Sequence, residues 1–175
     1  MSRKIITLTQ NFGQYQYSIA KNIALGDVDS ELSHEQIQNA AILSGADSFI
    51  QRLPQQYDTS LGTLSGDGAE LSIGQWQRIA LARLYINNNA EIYILDEPTA
   101  SLDANAESQI YESVLHHATD KTLLFISHRL SITPQMDRIL VFSDGKVVED
   151  GNHVELLERK GLYYQMYMLQ AELYK

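Results

Sequence analysis

Glu91-Ile92-Tyr93-Ile94-Leu95-Asp96-Glu97-Pro98-Thr99 is the stretch on which the reading of this chain turns. The apolar run 92–95 has the length of a buried strand, far short of the roughly 20 residues that cross a bilayer. Two acids follow it directly, and then a proline. An apolar strand ending in adjacent acids sets carboxylates at the C-terminal edge of a sheet, where open α/β sheets bind their ligands. In phosphoryl-transfer enzymes the first acid belongs near Mg²⁺, and the second can orient and deprotonate an attacking water. An isolated Asp-Glu before proline would be no more than the start of a solvated turn. The rest of the chain decides between the two.

Downstream, 104–118 carries Ala106, Ile110 and Val114 at a spacing of four and predicts a helix. Strands are expected at 122–127, 139–142 and 146–149, the last two joined by the turn Ser143-Asp144-Gly145. A helical pattern closes the chain over 155–174, interrupted near Gly161. Upstream, 4–9 reads as a short strand ending near Gln10, and 11–17 as a polar, aromatic loop. Ser33-His34-Glu35-Gln36 has capping-box form ahead of Ile37, Ala40 and Ala41, with Gly45 ending that helix. A second short helix is expected at 46–53, stopped by Pro54. The segment 57–70, with Gly62, Gly66 and Gly68, reads as an irregular loop. Ser72-Ile73-Gly74-Gln75 repeats the capping-box form and opens a helix to about Tyr85, with Ile79, Ala82 and Ile86 on one face. Strands alternating with helices predict an α/β fold on a parallel sheet. The helical stretch 18–86 then reads as a subdomain inserted into it.

The 175 residues suit about one domain, and 44% apolar content is enough to form a real core. Thirteen basic against 22 acidic side chains give a net charge of −9, which excludes the basic footprint of a nucleic-acid binder. It does not exclude anionic ligands, because helix N-termini bind them through backbone N–H groups. There is no cysteine, hence no disulfide frame, thiolate metal site or cysteine nucleophile. No apolar stretch is long enough to insert into a membrane, and the N-terminal residues lack the apolar core of a secretory signal.

Two further strings carry chemistry. Ser72, Gly74 and Gln75 at a helix start cap that helix, and the same geometry makes an anion site: a hydroxyl, a residue that permits close approach, and a positive helix end. Trp76 is expected to pack partly buried against the adjoining loop. His128 follows the apolar strand residues Phe125-Ile126, 31 residues after Glu97. One strand–helix–strand unit fits that span, which would put both on one sheet edge. His34, His116, His117 and His153 read as ordinary structural residues, and no His pair has metal-ligand spacing on one face.

Taken together, these strings resemble the ATP-binding cassette (ABC) family of transporter ATPases. Leu71–Gln75 is similar to its signature motif, Ile92–Asp96 to its Walker B strand, and Glu97 to its catalytic glutamate. Ser101-Leu102-Asp103 resembles the D-loop, His128 the switch histidine, and Gln10 the Q-loop glutamine. The resemblance runs from about residue 4 to the end. Asp58 to Gly68 and Gly151-Asn152-His153-Val154-Glu155-Leu156-Leu157 look like the exporter branch. It implies a partial P-loop NTPase (RecA-like) core with an ABC-type helical subdomain: 1–17 as core strand and Q-loop, 18–86 as helical subdomain, 87–175 as the rest of the core. It implies ATP and Mg²⁺ as cofactors. Glu97 and His128 are then catalytic, and Asp96 and Gln10 lie at the metal. Ser72, Gly74, Gln75, Gln10, Ser101 and Asp103 contact nucleotide or the dimer interface. The implied partners are a second ABC ATPase domain, head to tail, and a transmembrane domain, at the cytoplasmic side of the cell membrane.

Two positions depart from the family pattern. Ile73 stands where the signature usually has glycine, and no Gly-x-x-x-x-Gly-Lys-Ser/Thr occurs anywhere in the chain. That loop supplies the phosphate cradle, its lysine and a hydroxyl for Mg²⁺. The expectation is therefore the C-terminal two-thirds or so of an exporter's ATPase domain, inactive by itself. The alternative is a non-catalytic module that offers only its signature face to a complete ATPase. A DNA-repair or chromosome-organising ATPase lobe ranks last, for want of coiled coils and basic surface.

Overall fold

A computed structural model describes residues 4–62, 68–87, 89–99 and 104–173. It divides into two compact units, Met1–Ile126 and Ser127–Lys175.

Three parallel strands organise the first unit: β1 (Ile5–Leu8), β2 (Ile92–Asp96) and β3 (Thr122–Ile126), side by side in that order. Register aligns Ile6, Tyr93 and Leu123 in one row, and Leu8, Leu95 and Phe125 in the next. Side chains alternate along a strand, so these six share a face. It is the core face: Leu8, Tyr93 and Leu95 are buried, and the other three pack on the same cluster. Both crossovers step in the same direction across the sheet. Right-handed connections therefore bring the intervening helices to one side. On the other face Ile5, Leu124 and Ile126 remain 52%, 49% and 49% exposed.

The β1–β2 crossover holds α1 (Ile19–Ala24), α2 (His34–Leu43), α3 (Asp47–Ile50) and α4 (Ile73–Tyr85), and α5 (Ala104–His117) joins β2 to β3. Both predicted capping boxes form. Ser33 and Gln36 exchange side-chain-to-backbone bonds at α2, as do Ser72 and Gln75 at α4. α4 packs against α1, α2 and β1. Its residues Ile79, Leu81 and Ala82 are fully buried, and Trp76, expected to be partly exposed, is buried with them. The helix expected at 46–53 is shorter, because Arg52 and Leu53 donate to carbonyls three residues back, a 3₁₀-type tightening. The stretch expected as an irregular loop over 57–70 is entered through a 3₁₀ turn, Gln56–Asp58.

The second unit holds a 3₁₀ segment, Leu130–Gln135, and an antiparallel hairpin, β4 (Ile139–Ser143) with β5 (Lys146–Gly151). Its two-residue loop, Asp144 and Gly145, has positive φ at both positions, the primed turn whose twist suits a hairpin. Two helices follow, α6 (His153–Arg159) and α7 (Leu162–Leu173), divided at Gly161 as the sequence predicts. Val141, Leu156 and Tyr163 form this unit's core. The Tyr163 hydroxyl shares hydrogen bonds with Thr133 Oγ1 (2.6 Å) and His153 Nδ1 (2.6 Å).

Candidate nucleotide site

β2 is the central strand, so its C-terminal end opens in the middle of the sheet edge. Asp96 is its last residue, half-buried, and Glu97 follows in a left-handed conformation with φ +48°. The turn that carries Glu97 is held at three points. The Glu97 N–H donates to the Ile126 carbonyl at 2.9 Å. The Pro98 carbonyl accepts from the Gln77 side-chain amide on α4. Thr99 Oγ1 bonds the Tyr111 hydroxyl of α5 at 2.8 Å. Because the strands are parallel, β1 ends on the same edge, and Gln10, exposed, lies two residues beyond Leu8. The first unit therefore brings Gln10, Asp96 and Glu97 to one sheet edge.

Ser72 stands at the N-terminus of the 13-residue α4. Its Oγ accepts from the Gln75 N–H at 3.3 Å, and its own N–H donates to Gln75 Oε1 at 2.8 Å. The N–H groups of the first helical turn have no intrahelical carbonyl, and the helix end is positive. Ser72 is exposed and Ile73, in the place of the family's glycine, is 62% exposed. The isoleucine is thus accommodated within this chain by facing outward. His128 is exposed and belongs to the second unit, where its carbonyl accepts from the Gln170 side-chain amide. Ser101 and Asp103 lie outside the described residues.

No group of three or more His, Cys, Asp or Glu among the described residues could hold a metal unaided. Mg²⁺ does not require one, since it binds through one or two carboxylates plus phosphates and water. Asp96, at an edge solvent reaches, fits that need, and the α4 N-terminus fits a phosphate. The chain holds no P-loop to cradle the remaining phosphates.

One set of positions that sequence reasoning missed lies behind Gln10. Arg83 of α4 donates from Nε to the Asn22 carbonyl (2.9 Å), from one terminal nitrogen to Asn22 Oδ1 (2.7 Å), and from the other to the Gly13 carbonyl (2.6 Å). Fully buried Asn22 in turn donates to the carbonyls of Tyr15, Tyr17 and Ser18. Burial lowers the Arg83 pKa from its ordinary value, and Tyr15, whose ring lies 5.1 Å away, opposes that shift. This clamp fixes the loop after Gln10 and borders a cavity of about 380 Å³ lined by Phe12, Tyr15, Leu25 and β1. The only local signal was an asparagine on the apolar face of Ile19 and Ile23.

The family model described as "ABC transporter" matches residues 1–100, more than half of the chain. The chain belongs to the ABC transporter family. It is 41% identical over 170 residues to the ATP-dependent lipid A-core flippase of Legionella pneumophila (strain Paris), covering 97% of this chain and 28% of that protein. To the subtilin transport ATP-binding protein SpaT of Bacillus subtilis it is 38% identical over 163 residues, covering 93% and 26%. Among solved structures, a bacterial Atm1-family ABC exporter with ATP bound matches with a TM-score of 0.87 at 36% identity, covering 96% of this chain and 29% of that one. The chain thus spans just over a quarter of the length of the relatives it matches. The expected α/β fold of P-loop NTPase type is the one found, and the exporter-type ABC resemblance stands. Nucleotide and Mg²⁺ binding belong to ABC ATPases in general. No helix among the described residues is long and apolar enough to cross a membrane.

Proposed function

We propose that this chain is the portion of an exporter-type ABC ATPase that follows the P-loop, and that it contributes to ATP hydrolysis powering transport across a membrane. The observation that carries this is the sheet edge where Gln10, Asp96 and Glu97 meet, with α4 bonded to the same turn through Gln77. Mg·ATP supplies the transferable phosphoryl group and the metal that neutralises its charge. Asp96 lends its carboxylate to the metal shell. Glu97 orients the attacking water and takes its proton. Gln10 links the metal to the loop that Arg83 and Asn22 hold. Ser72, Gly74 and Gln75, at the α4 N-terminus, bind the terminal phosphate at the site of a second ATPase domain paired head to tail. Ser101 and Asp103 serve that interface, and His128 steadies the terminal phosphate. Catalysis is then positioning plus electrostatics.

On this reading residues 1–17 and 87–175 belong to the catalytic core and 18–86 to the helical subdomain that carries the signature. The partner is a transmembrane domain, and the site is the cytoplasmic face of the cell membrane. Relatives as different in name as a lipid A-core flippase and a subtilin transporter align with this chain at similar identity. That breadth fits a shared motor whose cargo is chosen elsewhere. The test is Glu97→Gln in the full-length ATPase. Steady-state hydrolysis should fall by roughly 10²–10⁴-fold while nucleotide binding persists. Turnover within a few-fold of the parent would refute the assignment.

A further inference from the structure

The turn that presents Glu97 is strained and is held from outside. A glutamate with φ +48° occupies the left-handed region that only glycine enters freely. Such a residue persists when its surroundings over-determine it. The surroundings here are the Glu97 N–H bond to Ile126, the Thr99–Tyr111 bond, and the Gln77 amide on the Pro98 carbonyl. Pro98 offers no N–H, so its carbonyl is the peptide's handle. Gln77 is 2% exposed, and its Oε1 has no partner among the described residues. The hydrogen bond of this buried amide runs to the turn. A leucine or methionine would fill the same space in α4 without leaving an unpaired polar atom. Packing alone therefore does not account for a glutamine there. Five residues separate Gln77 from Ser72 along α4, about 7.5 Å of helix. One rigid element thus carries the phosphate-binding N-terminus and the bond to the Glu97 turn.

We infer that Gln77 is a positioning residue that holds the Glu97–Pro98 turn in its left-handed form and ties the aim of the Glu97 carboxylate to the signature helix. The inference rests on the functional reading above. Its structural half can be tested separately.

The first arm uses the chain itself. Gln77→Leu removes the donor and keeps the volume. Exchange of the Glu97 amide hydrogen should quicken by about tenfold or more, an opening no longer opposed by the lost bond. The amides of Ala80 and Leu81, deep in α4, should keep their protection. Unchanged exchange at Glu97 overturns the inference, and so does loss of protection throughout α4.

The second arm uses the full-length ATPase. Gln77→Leu should lower kcat on the order of 10²-fold, with the KM for ATP within about twofold of the parent. Gln77→Glu separates positioning from packing. Burial raises a carboxyl's pKa, and only the protonated acid can donate to the Pro98 carbonyl. The activity of Gln77→Glu relative to Gln77→Leu should therefore climb as pH is lowered from about 8 to about 6. A flat ratio, or a kcat per folded molecule equal to the parent's, overturns the inference. A parent without any ATPase activity would instead overturn the functional reading, and with it the catalytic purpose of Gln77, whatever the exchange arm shows.

Discussion

Replacing Arg83 by methionine tests whether the polar clamp behind Gln10 holds that loop in place. The substitution retains much of the side chain's stem and removes three donated bonds. The Gly13 carbonyl is at the surface and can turn to water, so it adds little. The two acceptors on Asn22 cannot: that residue is fully buried, and its side-chain amide is already committed to the carbonyls of Tyr15, Tyr17 and Ser18. Bonds to a charged donor contribute about 1.5–3 kcal/mol each, and an orphaned buried acceptor costs a comparable amount. Two such acceptors, discounted for non-additivity, give a loss of about 3–5 kcal/mol, a large share of the 5–15 kcal/mol typical of a domain. Urea unfolding followed by the fluorescence of Trp76 reports on the first unit, where that residue is buried. A cycle with Asn22→Leu should show a coupling of about 1–3 kcal/mol, because either change alone already breaks the bond from Arg83 to Asn22 Oδ1. Chymotrypsin should also cut sooner after Tyr15 and Tyr17. A loss under about 1 kcal/mol, or independent effects of the two substitutions, would show that the clamp does not hold the loop.

Three further outcomes are expected. Ser72→Arg should leave the chain folded, since it alters one cap worth about 1 kcal/mol, yet block ATP-dependent pairing in the full-length ATPase; an unchanged dimer fraction on sizing chromatography with a hydrolysis-deficient background would discard the signature assignment. The 175-residue chain should release no phosphate from ATP and show no low-micromolar Mg·ATP binding by calorimetry, because the lysine and cradle that neutralise the β and γ phosphates are absent from it. Stability should fall in acid through His117, which sits edge-on to Tyr85 at 4.9 Å and stacks on Tyr93 at 5.8 Å. Burial, with help from Lys121 and His116, depresses its pKa, so the folded state resists a proton that the unfolded chain takes up. Its contribution is complete above about pH 6.5 and is lost as pH falls through the lower folded value; His117→Phe should flatten that part of the urea-midpoint profile, and an unaltered slope would exclude His117 as its source.

What was legible in the sequence was local. The run 92–95 and its two acids gave β2 and the site edge, and Ser33 with Gln36 and Ser72 with Gln75 gave two helix starts, because capping is decided within four residues. The short α1 was harder to see, since six residues offer less than two turns of periodicity. The bonds from Arg83 to Asn22 and Gly13, and from Gln77 to Pro98, span 61, 70 and 21 residues. No window of sequence contains them. They exist only because α4 packs between α1 and the sheet. Glu97's positive φ was hidden for a related reason. A glutamate carries no local preference for that conformation, so only the bonds around it reveal why it is adopted.

The strands carry one more message, which the topology makes readable. A strand with one solvated face alternates apolar and polar residues, whereas a strand buried on both faces reads as a continuous apolar run. β2 begins Ile92-Tyr93-Ile94-Leu95, and β3 continues from Thr122 as Leu123-Leu124-Phe125-Ile126. Both are written for burial on two sides. Yet the β1–β2 and β2–β3 crossovers step the same way, and right-handed connections can cover only one side. No rearrangement of α1 to α5 within that topology would shield Ile5, Leu124 and Ile126. The hand of the crossovers therefore leaves Ile5, Leu124 and Ile126 as an apolar face that the helices α1 to α5 do not cover.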